Sequence, residues 1–232
     1  MDFIQRNVFR ELRSQFFNTE EQLEPMTNYK QKKLREFLKN INDAPAGDVA
    51  LANPILNHRL QAIQVNERHA IDTSVETIEL LRIIVSNMNR TLNGGLPING
   101  IIQLGLYLRT KGDKVDFVKL DTWLDNLHIR RMAQLQGTVL IHFFQFVPEE
   151  IPFVLRQERG AYQLTLRSLH YTARDYEEKL HFQQSQVGFV KTNSAVLRRN
   201  LRRSFRYFDY APIEAASNFL HNFARSLSEI EE

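Results

Sequence analysis

Arg198, Arg199, Arg202, Arg203 and Arg206 are the densest group of chemistry-bearing side chains in this sequence. At 100° per residue they spread over a helical arc of about 140°. Such a face can neutralise the phosphates of nucleic acid or of anionic lipid. Guanidinium groups also suit bidentate phosphate contacts. The competing reading is a solvated face that pairs with Asp and Glu of a neighbouring helix. That reading is favoured here, because Leu197, Leu201, Phe205 and Phe208 fall on a separate apolar arc expected to pack on the core.

Other chemistry is thinner. His58, His69, His128, His142, His170, His181 and His221 include no His-x3-His pair. His58 and His69 could share a helix face, but no carboxylate stands in register with them to complete a metal site. His128 and His142 lie on the apolar stripe of the central helix and read as packed or capping residues. Asp113, Asp116, Asp121 and Asp125 form an acidic run in which Asp121 and Asp125 share a helix face. Paired carboxylates can do acid–base work, yet Lys111, Lys114 and Lys119 intervene, and a solvated face, or an N-terminal turn favoured by the helix dipole, is the simpler reading. Gly94-Gly95 and Asn99-Gly100 fit helix termination better than phosphate binding, since no Gly-Lys-Ser or Gly-Lys-Thr follows. No catalytic residue, metal ligand set or cofactor site is assigned.

The elements that would carry these groups read as helices. Ile4, Val8, Leu12 and Phe16 recur at helical spacing over residues 3–17. Thr27 is placed to cap a second helix with Leu34, Phe37, Leu38 and Ile41 inward. Residues 42–54 hold two Pro and a Gly and predict a loop. Leu56 to Leu92 predicts one long helix or two, with Thr73 and Glu76 spaced as a capping box. Asn93-Gly94-Gly95 closes that segment. Ile98, Ile101, Leu104 and Leu108 make the next face, ended by Lys111-Gly112-Asp113. Phe117, Leu120, Leu124 and Leu127 follow, with a short break at 126–128.

The widest apolar stripe comes next. Met132, Leu135, Val139, Phe143 and Phe146 lie on one side, with Leu140, Phe144 and Val147 beside them. It predicts a helix buried on most of its circumference, stopped by Pro148 and Pro152. Residues 161–184 read as helical, and 185–193 as a loop or short strand. Ser194 is placed to cap the arginine-rich helix. Pro212 suits the first turn of a last one burying Ala216, Phe219, Phe223 and Leu227.

The chain is 232 residues, 43% hydrophobic and 25% charged, enough for a sizeable core. It has no Cys, which excludes disulfides, zinc-thiolate sites and Cys nucleophiles. The opening residues carry no signal-peptide pattern, and no apolar run approaches a membrane span, so a cytoplasmic protein is expected. A net charge of +3 permits a polyanionic partner without requiring one.

Three stretches resemble a family of uncharacterised bacterial nucleotidyltransferase-like proteins. "VDFVKLDTWLDNLHIRRMAQLQGTV" followed by "PEEIPF" is similar to its C-terminal helical region. "QRNVFRELRSQFF" resembles its N-terminal helix, and "LRRNLRRSFRYFDYAPIEAASNFL" its C-terminal segment. The resemblance implies helical flanks around a catalytic core that holds triphosphate on a Gly-Ser turn and divalent metal on an Asp-x-Asp pair. This sequence has neither; Asp175-Tyr176-Glu177 is the nearest approach. The expectation is therefore an all-α protein of about seven or eight helices. It forms one domain, or two lobes (1–41 with 55–153, and 154–232) joined near 42–54. Its expected function is that of a non-catalytic accessory or scaffold protein, with another protein as partner. The alternative is a nucleic-acid-binding regulator that uses the arginine face.

Overall fold

The computed structural model describes residues 1–42, 47–68, 75–169, 202 and 205–228, and all regular structure among them is helical. The helices are α1 (Phe3–Phe17), α2 (Asn28–Asn42), α3 (Pro54–Arg68), α4 (Val75–Gly94), α5 (Ile98–Lys111), α6 (Phe117–Asn126) and α7 (Arg130–Phe144). They are followed by α8, described over 161–169, and α9 (Pro212–Ser228). Among the described residues no helix is long and apolar enough to cross a membrane.

The organising helix is α4, which packs against α3, α5, α6 and α7. Leu80, Leu81, Ile84, Val85 and Met88 recur at three or four residues and are all fully buried. From α5, Ile98, Ile101, Leu104 and Leu108 all enter the core, as their spacing predicts. From Met132 to Leu140 every residue of α7 is buried, so this helix runs through the interior. Its polar members are satisfied locally. Gln136 Nε2 donates to Ile84 O at 3.0 Å, and Thr138 Oγ1 donates to Gln134 O at 2.6 Å.

Several chain reversals differ from expectation. The helix α7 ends at Phe144, four residues before Pro148, because Gln145 takes a left-handed conformation with φ 58°. Phe146 is then buried from outside the helix, whereas Val147 is 51% exposed. His128 also takes φ 54°, at the break between α6 and α7, and is exposed rather than packed. The Leu56–Leu92 segment is two helices; Thr73, of the expected capping box, lies outside the described residues.

The two glycine pairs do different work. Gly95 at φ 100° terminates α4, donating its N–H to Thr91 O. Gly100 lies inside α5, where an added Cβ would sit 1.9 Å from Asn87 Oδ1. Its carbonyl accepts from Asn87 Nδ2 at 2.9 Å, and this close approach is what seats α5 on α4.

The last helix is turned relative to the sequence reading. Its inward face is Glu214, Ala215 and Asn218, with buried Ala211 just ahead of it, while Ala216 is exposed and Phe223 is 37% exposed. Side-chain placement at Leu227 lies outside the described residues, as do Tyr176, Leu180, Ser194 and the whole of 185–193. Hydrogen bonding explains the rotation. The Glu214 carboxylate accepts from Ala52 N at 2.8 Å and Asn53 N at 3.0 Å, just ahead of α3. Asn53 Oδ1 in turn caps α3 by accepting from Ile55 N and Leu56 N.

Candidate functional site

The acidic run is spent on structure. Asp116 is the N-cap of α6, accepting from Val118 N and Lys119 N at 3.0 Å each. Arg130 Nη2 bridges Asp121 Oδ2 at 2.7 Å and Asp125 Oδ2 at 2.5 Å. One guanidinium thus compensates both carboxylates. The neutralising group is Arg130 of the next helix rather than the neighbouring lysines. The Asp125 carboxylate is well exposed, so Asp125→Asn is expected to change stability by less than about 1 kcal/mol in denaturant unfolding.

The histidines among the described residues do not converge on one site. His58, His128, His142 and His221 are exposed, and His69, His170 and His181 lie outside the described residues. His142 stands in the last turn of α7, with Nε2 3.2 Å from Gln157 Oε1. Among the described residues no group of three His, Cys, Asp or Glu could hold a metal ion.

Of the arginine face, Arg198, Arg199 and Arg203 lie outside the described residues. Arg202 is exposed, and Arg206 is half-buried with a partner of its own. The aromatic side of that face differs from the sequence reading. Phe205 is 70% exposed and Phe208 44% exposed, and it is Tyr207 and Tyr210 that enter the core. Tyr210 faces Arg131, whose guanidinium lies 5.2 Å from the ring centroid.

Arg131 ties this C-terminal segment down. It pairs in fork geometry with Glu158 at 3.0 and 2.9 Å and donates to Asp209 O at 2.8 Å. The hydrogen bonds it donates to Glu158 hold its guanidinium pKa above the ordinary arginine value. A matching clamp at the other end joins Arg13 to Glu21, and Arg13 Nη1 donates to Phe143 O at 2.7 Å. The Arg13 hydrogen bond holds the Glu21 carboxyl below the usual carboxylate range.

Helix α2 concentrates positive charge that no ion pair among the described residues compensates, and the sequence reading passed over it. Helix α2, NYKQKKLREFLKNIN, carries Lys30, Lys32, Lys33, Arg35 and Lys39 against Glu36 alone. Its net +4 exceeds the +3 of the whole chain, so the charge is segregated into this helix. Leu34 and Ile41, each 5% exposed, hold its inner face against the core. Phe37 and Leu38 flank that face, and the opposite side of the helix points outward. Arg35, Lys39 and Lys32 fall within about 60° of one another on the helix. All three are exposed, and none has a salt-bridge partner among the described residues. With Asn28 and Glu36 they line an open surface depression of about 510 Å³. Lys30 is engaged differently, its ammonium 4.4 Å from the Phe3 ring centroid. Lys33 stands 5.4 Å from that of Tyr29, whose ring is 68% exposed.

Comparison with protein-family models, with curated proteins and with solved structures found no match to this chain.

Proposed function

We propose that this chain is a non-catalytic helical accessory protein that docks an anionic macromolecule on the outer face of α2. It would be related to nucleotidyltransferase-like proteins through their helical flanks, and it lacks their Gly-Ser turn and Asp-x-Asp pair. The observation that carries this reading is the stripe of Lys32, Arg35 and Lys39, none of them in an ion pair among the described residues and with Glu36 the one carboxylate of the helix beside them. Several cations on other helices do meet carboxylates: Arg6 and Arg10 meet Glu24, Arg109 meets Glu150, and Arg130 meets two aspartates. An unpaired row of like charges opposes folding through self-repulsion, so its cost is offset when an anionic partner covers it. The stripe sits on a well-anchored helix, α2 packing on both α1 and α5. It is therefore presented in fixed geometry, which lowers the ordering cost of docking.

Chromatography on immobilised heparin tests this reading. Lys32→Ala, Arg35→Ala and Lys39→Ala together should elute at clearly lower salt than the parent. A control triple of Lys111→Ala, Lys114→Ala and Arg156→Ala removes the same charge from other exposed positions. It should elute close to the parent. Equal shifts for the two triples would contradict a dedicated α2 face, because net charge alone would then explain retention.

A further inference from the structure

The chemistry of α2 narrows the anionic partner, and the inference rests on the docking function proposed above. A membrane surface fits poorly. An interfacial helix inserts its apolar face among lipids, but in α2 Leu34 and Ile41 are already buried in the protein core. An acidic protein surface fits less well than a nucleic acid. Protein interfaces are depleted in Lys and enriched in Arg, whereas four of the five cations of α2 are lysines. Lysine serves phosphate as a compact point charge.

The decisive companion is Tyr29. Its ring, 68% exposed, stands at the N-terminal end of the same outer face, one turn from Lys32 and Lys33. A large exposed aromatic ring beside a row of cations is the pairing that single-stranded nucleic acid uses. Its bases stack on the ring while its backbone follows the charge. Duplex DNA keeps its bases stacked on one another and leaves such a ring without a partner. Lys32 and Lys39 are seven residues apart, about 10 Å along the helix axis. One short run of phosphates can therefore span them. We propose that the outer face of α2 binds single-stranded nucleic acid, with Lys32, Arg35 and Lys39 on the phosphates and Tyr29 stacked on a base.

The test is fluorescence anisotropy with labelled single-stranded DNA and RNA of about 15 nucleotides, the same DNA as a duplex, and polyglutamate. Three phosphate contacts on a single strand predict a log–log salt slope of about −2. The Lys32/Arg35/Lys39 triple-alanine variant should lose nearly all of that slope. Tyr29→Ala should weaken single-strand binding about ten-fold and leave the slope unchanged, because a base stack carries no counterion release. Alanine is the best helix former and all four positions are exposed, so these variants should keep the parent circular dichroism spectrum.

Single-strand binding that is unchanged in the triple variant would place the site elsewhere and overturn the inference. Polyglutamate or duplex bound as tightly as single strand, with Tyr29→Ala silent, would overturn the nucleic-acid assignment and leave the docking face standing. Absence of single-strand binding, while heparin retention still depends on the same three residues, would have that same meaning. Heparin retention insensitive to them would remove the docking face and the inference together.

Discussion

Phe143→Ala should cost about 3–5 kcal/mol, the range found for removing a fully buried phenyl ring. Phe143 is 1% exposed and sits in an aromatic layer between helices. Its ring centroid lies 4.4 Å from that of Phe9 on α1 and 5.3 Å from that of Tyr162 on α8. Phe9 in turn meets Phe144 edge-on at 5.7 Å. Neighbours on two other elements cannot both close in on the space, so a cavity term adds to the lost transfer energy. The measurement is a urea midpoint at unchanged slope. A loss below about 1 kcal/mol would mean that the layer collapses freely or is not packed as described. Phe205→Ala, at a ring 70% exposed, is the internal contrast and should stay within about 0.5 kcal/mol.

Glu214→Ala should cost about 2 kcal/mol by a different route. The carboxylate is 1% exposed and accepts two backbone N–H groups that α3 leaves unpaired at its start. Alanine would leave Ala52 N and Asn53 N without their acceptor, each worth about 1–3 kcal/mol when truly buried and less here, where both residues are partly exposed. The pH dependence separates this from mere loss of packing. Burial pushes the Glu214 carboxyl up, against the two backbone donors that pull it down. A raised folded value means that the folded state holds the proton more tightly than the unfolded chain does. The associated stability is complete below the ordinary carboxylate pKa and is lost as pH rises through the raised one. Glu214→Gln should abolish that dependence and cost only about 1 kcal/mol at neutral pH, since the amide keeps one acceptor. Identical pH profiles for the parent and Glu214→Gln would show that this carboxyl is not perturbed in the fold.

Those two sites mark what the sequence does and does not make legible. Phe143 could be read in advance, because burial of apolar side chains follows their spacing. The same holds for Ile98, Ile101, Leu104 and Leu108 on α5 and for Leu120 and Leu124 on α6. Glu214 could not. Its partners are about 160 residues away in the chain, and a period of apolar residues carries no trace of a buried carboxylate held by backbone N–H groups. The same holds for Asn218, which donates to Asn93 Oδ1 at 3.0 Å. These polar contacts turn α9 so that Ala216 and Phe223 leave the core. The end of α7 was hidden for a related reason. Gln145 reverses the chain by a left-handed residue, before the prolines that are the visible stop signals.

The α2 face was legible and was masked by averaging. A net charge of +3 over the chain looks mild, although one helix alone carries +4. Counting charge helix by helix would have exposed it, and the spacing of Leu34 and Ile41 would have shown which side faces out. The arginine run at 198–206 drew attention because it is contiguous in sequence. Contiguity says little about exposure: of its two described arginines, Arg202 is exposed and Arg206 is half-buried.

The claim that this chain binds rather than catalyses is tested most directly by isothermal titration calorimetry with ATP and GTP in the presence of Mg²⁺. With Asp121 and Asp125 bridged by Arg130 and no Gly-Ser turn in the sequence, the titration should show no saturable heat at micromolar nucleotide. A one-to-one isotherm with micromolar affinity that disappears on removal of Mg²⁺ would contradict the account, because it would require a metal–triphosphate site in the chain itself.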